Sequence, residues 1–195
     1  MKPPVLFVHG IDDSAALFDQ MQAGLRRRGF TQLSAMDILP PNGDLPMEAM
    51  GAQVQAAAEK LLRESGAPRL DLVAFSMGSL ASRDYIQRLD GKTRVRRFIA
   101  LAGPQRGTLS AYLRNNPGTR QMRPGSAYLN ALNADPDPWG PVAAYAFWTP
   151  LDLMVLPATS ARLPQAPDRP FFVLFHPWMV SDPRVIAAVA ETLSA

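Results

Sequence analysis

Short apolar runs of strand character alternate along the chain with longer stretches whose apolar residues recur at helical spacing. This alternation predicts an α/β fold with a mostly parallel central sheet of about six strands and helices on both faces. A first strand falls on residues 5–8, a loop on 9–14, and a helix on 15–28 that Gly29 stops. A strand over 32–36 and the turn cluster Pro40-Pro41-Asn42-Gly43-Asp44 lead to an amphipathic helix over 47–64, ended by Gly66. Residues 70–75 read as a central strand, with a helix over 77–89 following at once and another strand over 95–101. The last two strands are expected at 142–148 and 171–175. A closing helix is expected at 183–193, with Asp182 as its N-cap and Pro183 in the first helical position. Residues 105–140 are rich in proline, carry one helical stretch around 126–132 and read as a decorated crossover, so that 1–195 form one domain.

Composition narrows the chemistry. With no cysteine in its 195 residues, the chain can form no disulfide, thiolate metal site or cysteine nucleophile. A net charge of +3 is only mildly basic, and Arg26-Arg27-Arg28 falls where a helix ends and cations complement its dipole. Nucleic acid is therefore not expected as a partner. The apolar runs are too short to cross a bilayer, so no transmembrane segment is expected. Because Met1-Lys2-Pro3-Pro4 runs straight into a core strand, the chain as written reads as cytoplasmic, or as secreted if a leader has been removed.

The strongest local signal is Ala74-Phe75-Ser76-Met77-Gly78, a serine between a buried strand and a helix with small residues two positions to either side. A tight strand–helix turn demands small neighbours, and this is the pattern of a nucleophile elbow. None of the other ten of the eleven serines sits in that context. A serine hydroxyl needs a general base, and the chain offers His9 and His176. His176 follows the expected last strand, at the sheet edge where sites are built, whereas His9 precedes a glycine and suits loop organisation. In such sites the acid lies between serine and histidine in chain order. Of Asp84, Asp90, Asp135, Asp137, Asp152 and Asp168, only Asp152 lies just past a strand; Asp135, Asp137 and Asp168 precede strands. Backbone N–H groups must meet the oxyanion of acyl transfer, and Met77, after the serine, and Ile11, in the loop after the first strand, are the candidates. Apolar residues near this site (Ile11, Phe75, Met77, Met154, Val155, Leu156, Trp178, Met179) would suit an acyl chain, although at least half are expected to fill the core.

Taken together, Pro4 to Ile11, the elbow, Leu101 to Thr108, Asp152 to Val155 and His176 make the chain resemble the small lidless bacterial triacylglycerol lipases of the α/β-hydrolase fold. The resemblance implies hydrolysis of a small-molecule acyl ester or lipid through a serine acyl-enzyme, with no cofactor. Phe75 stands where such lipases often carry histidine, and residues 109–141 depart from the pattern and could form a short flap. Larger relatives hold a structural calcium near the histidine loop; no matching acidic cluster is found, so no metal is expected. Transient contact with a lipid interface fits this reading. A thioesterase or acyltransferase on the same scaffold is the alternative, and a non-catalytic binding domain the remote one.

Overall fold

The computed structural model describes residues 2–195. Its strands are β1 (Val5–Val8), β2 (Leu33–Met36), β3 (Leu70–Phe75), β4 (Val95–Leu101), β5 (Ala143–Trp148) and β6 (Asp168–Pro170). They form one six-stranded sheet in the order β2-β1-β3-β4-β5-β6, and every pairing is parallel. The helices are α1 (Asp19–Arg26), α2 (Met47–Ser65), α3 (Met77–Arg88), α4 (Gly91–Arg94), α5 (Pro117–Gln121), α6 (Ala127–Asn133) and α7 (Pro183–Ser194).

The apolar runs are continuous because both faces of the sheet are covered. Leu6, Val8, Leu72, Ala74, Phe98 and Ala100 point into one core with Met50 and Val54 of α2, Leu80 of α3 and Leu129 of α6. Their neighbours Val5, Phe7, Val73 and Ile99 point the other way, onto Met21 and Leu25 of α1 and Val185 and Val189 of α7. No helix among the described residues is long and apolar enough to cross a membrane. The register aligns the carboxyl ends of the central strands: Val8 pairs with Ala74, Phe75 with Leu101, and Leu101 with Phe147. The loops leaving β1, β3, β4 and β5 therefore emerge at one edge.

Two sequence expectations are corrected. The helix over 15–28 is a single 3-10 turn at Ala15–Phe18 followed by the shorter α1, whose end is closed by Arg28 donating to the Gly24 carbonyl at 2.9 Å and by Gly29 at φ +80°. More consequentially, residues 171–175 are not a strand. The sixth strand is the polar Asp168–Pro170, so Asp168 lies within a strand rather than before one. The ladder cannot continue because its neighbour β5 runs into Thr149-Pro150, and proline has no N–H to offer. Thr149 replaces it with its side chain, donating through Oγ1 to the Val173 carbonyl at 2.7 Å and accepting from the Val173 N–H at 3.3 Å. Residues 171–175 thus descend from the sheet edge as irregular chain and deliver His176 into a short 3-10 turn, His176–Val180.

Candidate active site

Ser76 is the residue between β3 and α3, with φ +51° and ψ −125°. That is a conformation non-glycine residues rarely adopt, costing of order 1–3 kcal/mol, and it persists only where the surroundings dictate it. Here they do. The Ser76 N–H donates to the Leu101 carbonyl at 2.9 Å, and its carbonyl accepts from the Ser79 N–H at 3.0 Å and the Ser79 hydroxyl at 2.6 Å. A Cβ at position 78 would stand 2.1 Å from the His9 carbonyl oxygen, so α3 can start this close to β1 only on glycine. A Cβ on Gly10 would stand 2.9 Å from the Ser76 Cβ, which puts the loop after β1 directly against the serine.

His176 and Asp152, both nearly enclosed, reach the serine from the far side of the sheet edge. Ser76 Oγ lies 3.0 Å from His176 Nε2, and His176 Nδ1 lies 2.7 Å from Asp152 Oδ2. A carboxylate only accepts, so Nδ1 carries the proton and Nε2 is left to accept from the hydroxyl. The other Asp152 oxygen accepts from the Met154 N–H at 2.8 Å and the Val155 N–H at 2.9 Å, closing a turn around its own carboxylate. The Phe75 ring lies 4.7 Å from the His176 ring, centre to centre, and forms one wall for it.

The remaining expected residues fall as follows. His9 is fully buried; its Nδ1 donates to the Gly10 carbonyl at 2.7 Å and its Nε2 accepts from the Ile38 N–H at 2.9 Å. Asp37 approaches Nε2 at 3.8 Å, but that nitrogen has no proton to share, and Asp37 instead accepts from the Ala15 N–H at 2.7 Å. His9 thus spends both nitrogens on shaping its loop. Neither the Ile11 nor the Met77 N–H has an acceptor among the described residues. Asp84, Asp90, Asp135, Asp137 and Asp168 all lie away from the histidine. Asp84 pairs with Arg88, Asp135 with Lys92, and Asp168 with Arg162 and the Trp148 indole.

A groove of about 300 Å³ opens at Ser76, lined by Ile11, Phe75, Leu153, Met154, Leu174 and Phe175, with Asp13 at its side. Of the apolar residues expected here, Met77, Val155 and Met179 are buried instead, while Trp178 stacks edge-on against Phe175 at 4.6 Å on the surface. Leu153, Leu174 and Phe175, exposed at 75%, 63% and 54%, carry no sequence signal for this groove, and the last two fall in the run that reads as a strand.

A supporting network also escaped sequence reading. Gln105 Nε2 donates to Ser79 Oγ at 3.0 Å, beneath the serine, and Arg83 holds Gln105 through its carbonyl at 3.2 Å and its amide oxygen at 3.3 Å. Arg83 is fully buried with neutral acceptors and, among the described residues, no paired carboxylate, and burial pushes its guanidinium down to about 10. Only the string Leu101 to Thr108 hinted at this, without saying what it does.

The class of protein follows from topology: a parallel sheet in this order, with a strained serine between its third strand and the next helix, is the α/β-hydrolase fold. The chain belongs to the palmitoyl protein thioesterase family, whose sequence model matches residues 4–135, about two thirds of its length. The match takes in β1 and the Ser76 turn and ends before Asp152 and His176. Among solved structures, the mature Bacillus licheniformis lipase BlEst2 superposes with a TM-score of 0.84 at 18% identity, covering 98% of this chain and 92% of that one. Aspergillus fumigatus lipase B gives 0.86 at 16% identity over all of this chain, which spans only 53% of the fungal protein. The product of lin2722 from Listeria innocua gives 0.73 at 13% identity, covering 97% and 92%. Identities this low speak for the shared fold.

Proposed function

We propose that the protein hydrolyses acyl esters or thioesters through an acyl-enzyme on Ser76, with His176 as general base and then general acid, and Asp152 as its orienting carboxylate. The observation that carries this reading is the unbroken hydrogen-bonded chain from Ser76 Oγ through both nitrogens of His176 to Asp152. In the first step Ser76 Oγ attacks the acyl carbonyl while Nε2 takes its proton; collapse of the tetrahedral intermediate expels the alcohol or thiol, which receives that proton. Water repeats the sequence on the acyl-serine and frees the acid. The Ile11 and Met77 amides, which have no acceptor among the described residues, are suited to hold the oxyanion. The apolar groove suits an acyl chain, and its exposed rim would allow contact with a lipid surface.

Family membership favours a second leaving group, the thiolate, since thioester and oxyester share every step up to its departure. Purified protein should react with a fluorophosphonate at Ser76 and cleave p-nitrophenyl and S-acyl thiol esters of matched chain length. Failure of the probe to label the native protein would sink the reading, and the ratio of the two ester activities would decide between the leaving groups.

A further inference from the structure

Asp13 is the one acidic side chain lining a groove otherwise built from apolar residues and the proposed reacting groups. Its neighbour Asp12 is paired with Arg114, and the charges acting on that guanidinium are Asp12 and Asp44. Asp13 pairs with no lysine, arginine or histidine among the described residues. Among the described residues its one hydrogen bond is local, from the Ser14 N–H to Oδ1 at 3.0 Å, which leaves Oδ2 with no donor there. An unneutralised, half-buried carboxylate beside apolar walls projects its field into the groove, weakened by salt but not cancelled by a partner, and whatever enters feels it.

We propose that Asp13 is a specificity-determining residue, which restricts the enzyme to acyl substrates whose groups in the groove are neutral or cationic and rejects those carrying a carboxylate or phosphate near the scissile bond. This rests on the reading of Ser76 as the nucleophile. Like charge in the groove raises the free energy of bound substrate and transition state alike, so the discrimination appears in kcat/KM. A positive group near the scissile bond gains by the same interaction.

Two substrate pairs test it, each matched in shape and differing in charge: p-nitrophenyl valerate against p-nitrophenyl hemiglutarate, and 3,3-dimethylbutyl butyrate against butyrylcholine. In the wild type the neutral member of the first pair should be preferred by about 30-fold or more, and the cationic member of the second by about fivefold, at low salt. Asp13→Asn should shrink the first preference by about five- to tenfold and bring the second close to unity, and added salt should shrink both in the wild type. Asp19→Asn, exposed on α1, makes the same change in net charge and should leave both ratios as they were. A shift in either pair supports the proposal and tells which side of the groove the carboxylate serves. It is overturned if Asp13→Asn leaves both ratios within about twofold of wild type, or if Asp19→Asn moves them equally. Absence of Ser76-dependent hydrolysis of the valerate ester would instead overturn the assignment of the nucleophile, and this proposal with it.

Discussion

The turn that carries Ser76 is held chiefly by backbone packed on backbone, with the Ser79 hydroxyl as a side-chain tie, whereas the turn that carries Asp152 is held by side-chain oxygens. At the serine, β1 and α3 approach so closely that Gly78 has 2.1 Å between a would-be Cβ and the His9 carbonyl, and the strand ladder fixes the rest. At the acid, regular structure has ended. Thr149 Oγ1 binds residue 173, Asp152 binds its own turn, and Thr108 Oγ1 donates to the Met154 carbonyl at 2.8 Å and accepts from the Leu156 N–H at 2.9 Å. Steric fit tolerates nothing and hydrogen bonds degrade by degrees. The serine half should therefore answer mutation by unfolding, and the acid half by losing rate while staying folded.

The sharpest test is whether the two halves act as one machine. Ser76→Ala should reduce ester hydrolysis by about 10³- to 10⁶-fold, the loss expected for a nucleophile that works with its base as a unit. A purified, folded variant keeping a tenth of wild-type activity would separate the halves and end the assignment. Asp152→Asn should leave the fold intact but favour the wrong imidazole tautomer, with a loss of about 10⁴-fold near neutral pH. Asp168→Asn disturbs a surface pairing with Arg162 and Trp148, so it should cost little activity. If Asp168→Asn proved crippling and Asp152→Asn did not, the acid half would be wired differently from its hydrogen bonds.

The same contrast explains what could be read from the sequence. β1, β3 and β4 are legible because burial on both faces makes them uninterrupted apolar runs, and the elbow is legible because sterics admits so few residues at 74 and 78. β6 is illegible: Asp168-Arg169-Pro170 is short, polar and on the sheet edge, where neither burial nor alternation marks a strand. The apolar run at 171–175 misleads for another reason. Phe171 and Val173 are buried, but Phe172, Leu174 and Phe175 are exposed, and the last two line the groove, so the run's hydrophobicity does not report a place in the sheet. Asp152 does lie past β5, 2.7 Å from His176, and that placement never depended on where the last strand fell. Thr108, Gln105 and Arg83 were unreadable because a hydroxyl or guanidinium reveals its partner only in three dimensions.

Glycine substitutions probe the serine half directly. Gly78→Ala forces Cβ into two carbonyl oxygens and should destabilise the protein by about 3 kcal/mol, or prevent its accumulation as folded protein. Gly29→Ala is the control: φ is +80° but nothing lies within 4 Å, so only the left-handed backbone penalty of about 1–2 kcal/mol applies. Urea unfolding of both variants separates collision from conformation. Equal losses would mean that α3 can shift away from β1, and that the serine half is softer than its packing.

Thr108→Val probes the acid half, where the effect should be smaller and of another kind. Valine matches threonine in shape but leaves the Met154 carbonyl with only Ser110 Oγ, at 2.6 Å, and the Leu156 N–H with no partner. A buried N–H so orphaned costs about 1–3 kcal/mol, and the turn can relieve that cost by moving the partly buried Leu156 amide toward water. Because the Met154 and Val155 amides are what grip Asp152, such movement loosens the carboxylate from His176 while Ser76 and the groove walls at Ile11, Phe75, Leu174 and Phe175 stay in place. The expected result is a fall in kcat of about tenfold with KM nearly unchanged, and loss of the downfield proton signal of the Nδ1–H···Oδ2 bond. Thr108→Ser, which restores the hydroxyl, should recover most of both. A merely structural threonine would lower the melting temperature and leave kcat and the proton signal as in the wild type; that outcome would show that Asp152 holds its turn unaided.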